Sequence, residues 1–278
     1  MRESILINLQ PKMNKDKLYL GLISLDTYTD DPLKCRDIIE QYLIEYGKEL
    51  DLIVLPELFN SGFISDPEKL EDGVRLSRSI LEDLERLANR YEVYIAGSCL
   101  WKEGGAYYNR GFIVSPAGKL SCYDKRHLFC KSPESKLMRK GVKFPDVVDI
   151  AGWKVKLLIC YDLRFPVWCR QSKNEEARYD LLIVVANWPE VREYTWTHLL
   201  IARAIENQAF VAGVNRTGED QYGTYDSRMT SVFDPLGRLV KNSEAQTFIK
   251  VELSKSEIEK QRAHWPLSND ADDFSIEM

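Results

Sequence analysis

Several short stretches of this chain are apolar almost without interruption, and each must be covered on both faces. They fall at 18–25, 51–55, 155–159, 181–185 and 210–214. A half-wet strand alternates apolar with polar residues, whereas a run such as Leu52-Ile53-Val54-Leu55 belongs in the interior of a layered fold. Between these runs lie segments with helical spacing. Pro32 opens one that presents Ile38, Ile39, Tyr42, Leu43 and Tyr46. A second covers 79–91, with Ile80, Leu84, Leu87 and Ala88 on one face. A third covers 194–208, and a further helix is expected after Pro166. Residues 93–98 read as another strand. Two antiparallel hairpins are expected, 107–114 with 119–123 around Ser115-Pro116-Ala117-Gly118, and 229–233 with 238–240 around Asp234-Pro235-Leu236-Gly237. The sum is an α/β fold of packed layers with mixed sheets. No linker or short repeat divides it, so residues 18–278 read as one domain behind a polar extension at 1–17. Residues 124–148 read as a long loop, a feature that often serves function.

The chain has 278 residues and 44% hydrophobic content, enough for a sizeable core. A net charge of −5 and the lack of a basic stripe argue against a nucleic-acid or anionic-membrane partner. No apolar run approaches the roughly 20 residues that span a bilayer, and the first nine residues are too soon broken for a signal peptide. A cytoplasmic protein is expected. Six cysteines show no disulfide-like pairing and no C-x-x-C, so neither a stapled scaffold nor a zinc site is indicated. Most should be small buried apolar groups.

Three residues stand just beyond apolar strands, where rigid backbone meets a loop. Glu57 follows 51–55 and Pro56, Lys125 follows 120–123, and Cys160 ends 155–159. Singly, each reads as a packing cysteine, a cap or a surface charge. Together they are the set that amide hydrolysis demands. A thiol needs a base and a nearby cation to become a nucleophile, and a helix N-terminus after Cys160 would lower its pKa further. The carbonyl oxygen gains charge and needs a fixed cation. The leaving amine needs a proton, and water must then be activated. Cys160, Lys125 and Glu57 can fill these roles in turn.

Pro56-Glu57, Tyr123-Asp124-Lys125-Arg126-His127-Leu128-Phe129 and Ile159-Cys160-Tyr161-Asp162-Leu163-Arg164-Phe165-Pro166 resemble the three catalytic motifs of the nitrilase superfamily, also called carbon-nitrogen hydrolases. Ala186-Asn187-Trp188-Pro189, 202–208 and Asn215-Arg216 extend the likeness over nearly all the chain. Cys160 to Trp168 and Asp270-Ala271-Asp272-Asp273-Phe274 are most similar to the omega-amidase branch of the YafV type. The resemblance implies an αββα sandwich whose protomers pair into four layers, hence a homodimer, with neither metal nor organic cofactor. It implies a small-molecule amide substrate, the monoamide of a 2-oxo dicarboxylic acid such as 2-oxoglutaramate or 2-oxosuccinamate. Glu134 matches the superfamily's second glutamate, and Phe63, Tyr161 and Trp188 are expected at the pocket. The far carboxylate of such a substrate calls for a bidentate arginine, Arg164 or Arg192. Arg203 and Glu206 read as structural contacts. One position departs from the pattern: Tyr225 stands where the family usually has glycine, which bears on backbone geometry and pocket size.

Rival readings are an N-carbamoyl amino-acid amidase, an aliphatic amidase or a nitrilase of the same superfamily, a Cys-His protease built on His127, His198 or His264, and a non-catalytic interaction protein that retains the fold.

Overall fold

The computed structural model describes residues 15–27, 33–174, 177–244 and 246–277. Pro32 and residues 1–14 of the expected extension lie outside this set. Lys15 is within it and pairs with Asp51 at 2.6 Å.

The first half of the chain builds one sheet. β1 (Lys17–Ile23) is followed by α1 (Lys34–Tyr46), β2 (Leu52–Val54), α2 (Leu70–Tyr91), β3 (Tyr94–Glu103), β4 (Ala106–Val114) and β5 (Leu120–Asp124). Helix α2 starts nine residues before the expected 79, on a turn whose Asp66 carboxylate accepts from Glu68 N at 3.0 Å. It ends on Glu92 in the left-handed region, φ 53°, where no glycine marks the stop. The β3–β4 hairpin turns on Gly104 and Gly105, with φ of 56° and 76°. That conformation suits glycine, and the hairpin lies outside the expected set.

The 124–148 segment is less irregular than expected, since it contains α3 (Glu134–Leu137) and the start of β6 (Val147–Ile150). The second sheet then follows: β7 (Trp153–Ile159), α4 (Pro166–Cys169), β8 (Leu181–Ala186), α5 (Glu193–Asn207), β9 (Phe210–Asn215), the small β10 (Gly218–Asp220) and β11 (Gly223–Tyr225) hairpin, β12 (Ser231–Phe233) and β13 (Leu239–Asn242). The helix after Pro166 is a single turn. β14 (Phe248–Ser254) returns to pair antiparallel with β1, and α6 (Lys255–His264) follows it.

The sheet orders are β14-β1-β2-β3-β4-β5 and β13-β12-β9-β8-β7-β6. Each has three parallel central strands, β1-β2-β3 or β7-β8-β9, with antiparallel strands outside them. The two sheets thus share one pattern, and β14 from the end of the chain completes the first. Side chains on these strands are apolar on both faces, as the uninterrupted runs require. Leu20, Leu22, Leu52 and Val54 pack between the sheets with Val155, Leu157 and Ile159. Ile53 and Leu55 point the other way, onto Ile39, Leu43, Ile80 and Leu84 of α1 and α2. Trp196, Leu200 and Ala204 of α5 cover the second sheet. The result is the expected αββα sandwich.

Candidate active site

The ends of β2, β5 and β7 bring Glu57, Lys125 and Cys160 together. Beyond β2, Leu58 takes φ 45° and its N–H donates to Ser98 Oγ at 2.9 Å, which ties the Glu57 loop to β3. Lys125 is fixed by its own backbone. Its N–H donates to Asn109 O at 2.9 Å, and its carbonyl accepts from Gly141 N at 2.9 Å. Gly141 is required there, because a Cβ would lie 1.9 Å from Asp124 O. Cys160 itself has φ 46°, a conformation that costs a non-glycine residue on the order of 1–3 kcal/mol and tends to occur where function needs it.

Lys125 Nζ lies 2.7 Å from Glu57 Oε1 and 2.9 Å from both Glu134 oxygens, all three side chains being fully buried. Glu134 is therefore no surface acid. Its Oε2 also accepts from Phe129 N at 2.9 Å. Asn109 Nδ2 bridges the two carboxylates, 2.8 Å from Glu57 Oε1 and 2.9 Å from Glu134 Oε1. Glu57 Oε2 accepts from Asn187 N at 2.8 Å, and the carbonyl of the same Asn187 lies 4.0 Å from Cys160 Sγ. Burial opposes the charge of Lys125, but Glu134 and Glu57 outweigh it and hold its pKa above that of an ordinary lysine. Burial raises the pKa of Glu134, an effect that Lys125 partly offsets.

The cysteine corrects one expectation. Only a five-residue 3-10 turn, Cys160–Arg164, follows it, and its pKa is not lowered. Burial pushes the thiol well above its ordinary value, the charge of Glu57 adds to the rise, and Lys125 only partly compensates. The resting thiol is therefore protonated near neutrality. N-ethylmaleimide labelling of Cys160, followed by mass spectrometry, should be slow at pH 7. It should still be climbing with pH above about 8.5, where an ordinary thiol has half-ionised. A plateau below pH 8 would contradict this.

Cys160 and Lys125 open onto a cavity of about 430 Å³. Phe63, Tyr161, Arg164, Trp188 and Arg192 all line it, together with Lys131 and Tyr225. Arg164 lies 4.9 Å over Trp188 and Arg192 lies 5.3 Å over Phe129, and neither guanidinium pairs with a carboxylate among the described residues. Among the described residues, no Asp or Glu lines the cavity beside these cations. Tyr225 has ordinary backbone geometry. Its hydroxyl donates to Asp220 Oδ1 at 3.1 Å and Arg216 lies 4.3 Å over its ring, so an aromatic wall stands where glycine would leave space. Asn109 escaped the sequence reading, and Asp162 and Asn187 stood in its motifs without an assigned role. The first sits inside a strand, and the other two lie within motifs but carry no polarity pattern that marks a role. None of the histidines lines the cavity. His127 Nδ1 is 2.8 Å from Asp162, and His198 Nδ1 is 2.7 Å from Tyr194 O on the surface of α5. Arg203 bonds Glu206 at 3.1 Å and Leu163 O at 2.8 Å, a structural contact. Among the described residues no three His, Cys, Asp or Glu side chains are grouped to hold a metal ion.

Comparison with known proteins fits this geometry. The carbon-nitrogen hydrolase family profile matches residues 21–263. The chain belongs to the carbon-nitrogen hydrolase family. Among curated relatives of this carbon-nitrogen hydrolase, omega-amidase YafV of Escherichia coli (strain K12) is 38% identical over 256 residues, covering 90% of this chain and 94% of that protein. The 2-oxoglutaramate amidase of Bacillus subtilis (strain 168) is 33% identical, over 83% of this chain and 88% of its own. The crystal structure of XC1258 from Xanthomonas campestris, a CN-hydrolase superfamily protein with an arsenic adduct in the active site, superposes with a TM-score of 0.87. It is 33% identical and covers 94% of this chain and 99% of that one. This protein is accordingly a hydrolase of non-peptide carbon-nitrogen bonds.

Proposed function

We propose that this hydrolase cleaves the terminal amide of a small 2-oxo dicarboxylic acid monoamide, 2-oxoglutaramate or 2-oxosuccinamate, through a thioester on Cys160. Glu57 takes the thiol proton as Sγ attacks the amide carbon. The oxyanion forms against Lys125 Nζ. Glu57 then passes its proton to the leaving nitrogen, and ammonia departs. With the acyl group on sulfur, Glu57 takes a proton from water, hydroxide adds to the thioester, and the acid leaves as the thiol is restored. Glu134 and Asn109 keep Lys125 and Glu57 in place.

The observation that carries the substrate class is the cavity wall. Arg164, Arg192 and Lys131 stand in it with no carboxylate among the described residues, although the chain as a whole carries −5. Such a wall suits a substrate whose far end is anionic. The relatives named for omega-amides support the same class. Arg164→Ala and Arg192→Ala should each raise KM by roughly 10-fold or more with little change in kcat, since a hydrogen bond to a charged group contributes about 1.5–3 kcal/mol. An N-carbamoyl amino acid also carries a carboxylate. Ammonia-release rates on 2-oxoglutaramate, 2-oxosuccinamate, an N-carbamoyl amino acid and a simple nitrile decide between them, and turnover of the carbamoyl substrate alone would end this reading.

We also propose a cytoplasmic homodimer with residues 18–278 as one catalytic domain. Six free thiols suit a reducing compartment. Val191 in the turn before α5 and Tyr194 in its first turn, 87% and 76% exposed, offer apolar surface for a second copy. Light scattering should give twice the 32.2 kDa chain mass; a monomer at micromolar concentration would contradict the dimer.

A further inference from the structure

We propose that Asp162 is a positioning residue, whose buried carboxylate sets the loop of Lys125 and the turn of Cys160 relative to each other. The inference rests on the reading of Cys160 as nucleophile. Asp162 has no solvent exposure and lies two residues after Cys160. Its Oδ1 accepts from His127 N at 3.0 Å and lies 2.8 Å from His127 Nδ1. Its Oδ2 accepts from Tyr123 Oη at 2.8 Å and from Ile159 N at 3.2 Å. Tyr123 and His127 flank Lys125 two residues to either side, and Ile159 directly precedes Cys160. One carboxylate therefore grips both chain segments next to their functional side chains.

The grip extends outward. Tyr123 Oη accepts from Trp168 Nε1 at 2.8 Å and from Arg126 N at 3.1 Å, while the His127 ring stacks 3.7 Å from Phe165. A left-handed backbone at Cys160 persists only where its surroundings over-determine it, and this set of bonds does so. Four donors converge on the two oxygens when His127 carries its proton on Nδ1. Asparagine has one acceptor oxygen and would turn an NH₂ group against the remaining donors, so aspartate is required on chemical grounds. Asp162, Tyr123 and His127 do not line the cavity. Their loss should therefore disturb the reacting geometry and leave substrate binding alone.

The test compares Asp162→Asn, His127→Ala and His127→Asn by steady-state ammonia release, normalised to folded protein. Displacing a reacting group by about 1 Å costs about 10²-fold, so Asp162→Asn should lose roughly that much kcat with KM within about threefold. His127→Ala should lose less. His127→Asn should recover part of that loss, because its Nδ2 can donate where Nδ1 did. The His127 pair carries the test if Asp162→Asn does not fold. Wild-type kcat in Asp162→Asn, a KM rise matching the fall in kcat, or no recovery in His127→Asn would each overturn the proposal. Cys160→Ala separates the two layers: full activity there sinks the nucleophile reading itself, whereas an inactive Cys160→Ala beside an unimpaired Asp162→Asn sinks only this inference.

Discussion

Cys160→Ala is expected to stop ammonia release almost completely, with kcat down by roughly 10⁴-fold or more, the scale on which removing the nucleophile of a triad acts. Serine should fare little better. Its hydroxyl is much less acidic than a thiol, and the site holds even the thiol protonated. Neither variant should unfold. Alanine keeps the left-handed backbone at the same cost, and losing one small buried sulfur is worth about 1 kcal/mol. Melting temperatures within a few degrees of wild type, beside near-zero turnover, are the predicted pair of results. Substantial ammonia release from either variant would mean that another group attacks.

Lys125→Ala should show two large effects at once. Loss of an oxyanion donor typically lowers kcat by about 10²–10³. The lysine is also the sole cation bonded to two fully buried carboxylates among the described residues, Glu57 and Glu134. Breaking such a group by removing one partner costs about 3–5 kcal/mol, because the remaining charge stays in a poor dielectric. For a chain of this size that corresponds to a fall in melting temperature of roughly 10 °C. The pairing also predicts a rescue: adding Glu134→Gln to Lys125→Ala should recover stability but not turnover. Calorimetry and ammonia release on the single and double variants check this. A Lys125→Ala protein as stable as wild type would show that the carboxylates are not held as described.

The layered core was legible because its strands are apolar on both faces, and residues such as Leu52-Ile53-Val54-Leu55 have no other favourable place. Glu57, Lys125 and Cys160 were legible because each sits where such a strand stops. What escaped depends on contacts that no local pattern encodes. Helix α2 runs back to Leu70 through a charged first turn whose spacing is weak. β14 is an exception: Ile249, Val251 and Leu253 alternate with Lys250 and Glu252 at strand period, a local signal that the reading passed over. Asn109 reads as an ordinary strand residue, yet its amide touches both carboxylates. The sign of the Cys160 shift was also out of reach, since the charge partners could be inferred from the sequence but the depth of burial could not.

Acid-quenched mass spectrometry during turnover of 2-oxoglutaramate tests the central claim most directly. The protein should carry one acyl group, mapped to Cys160 and released by hydroxylamine as a thioester would be. An acyl group on another residue, or steady turnover by a protein whose Cys160 has already been blocked, would contradict it.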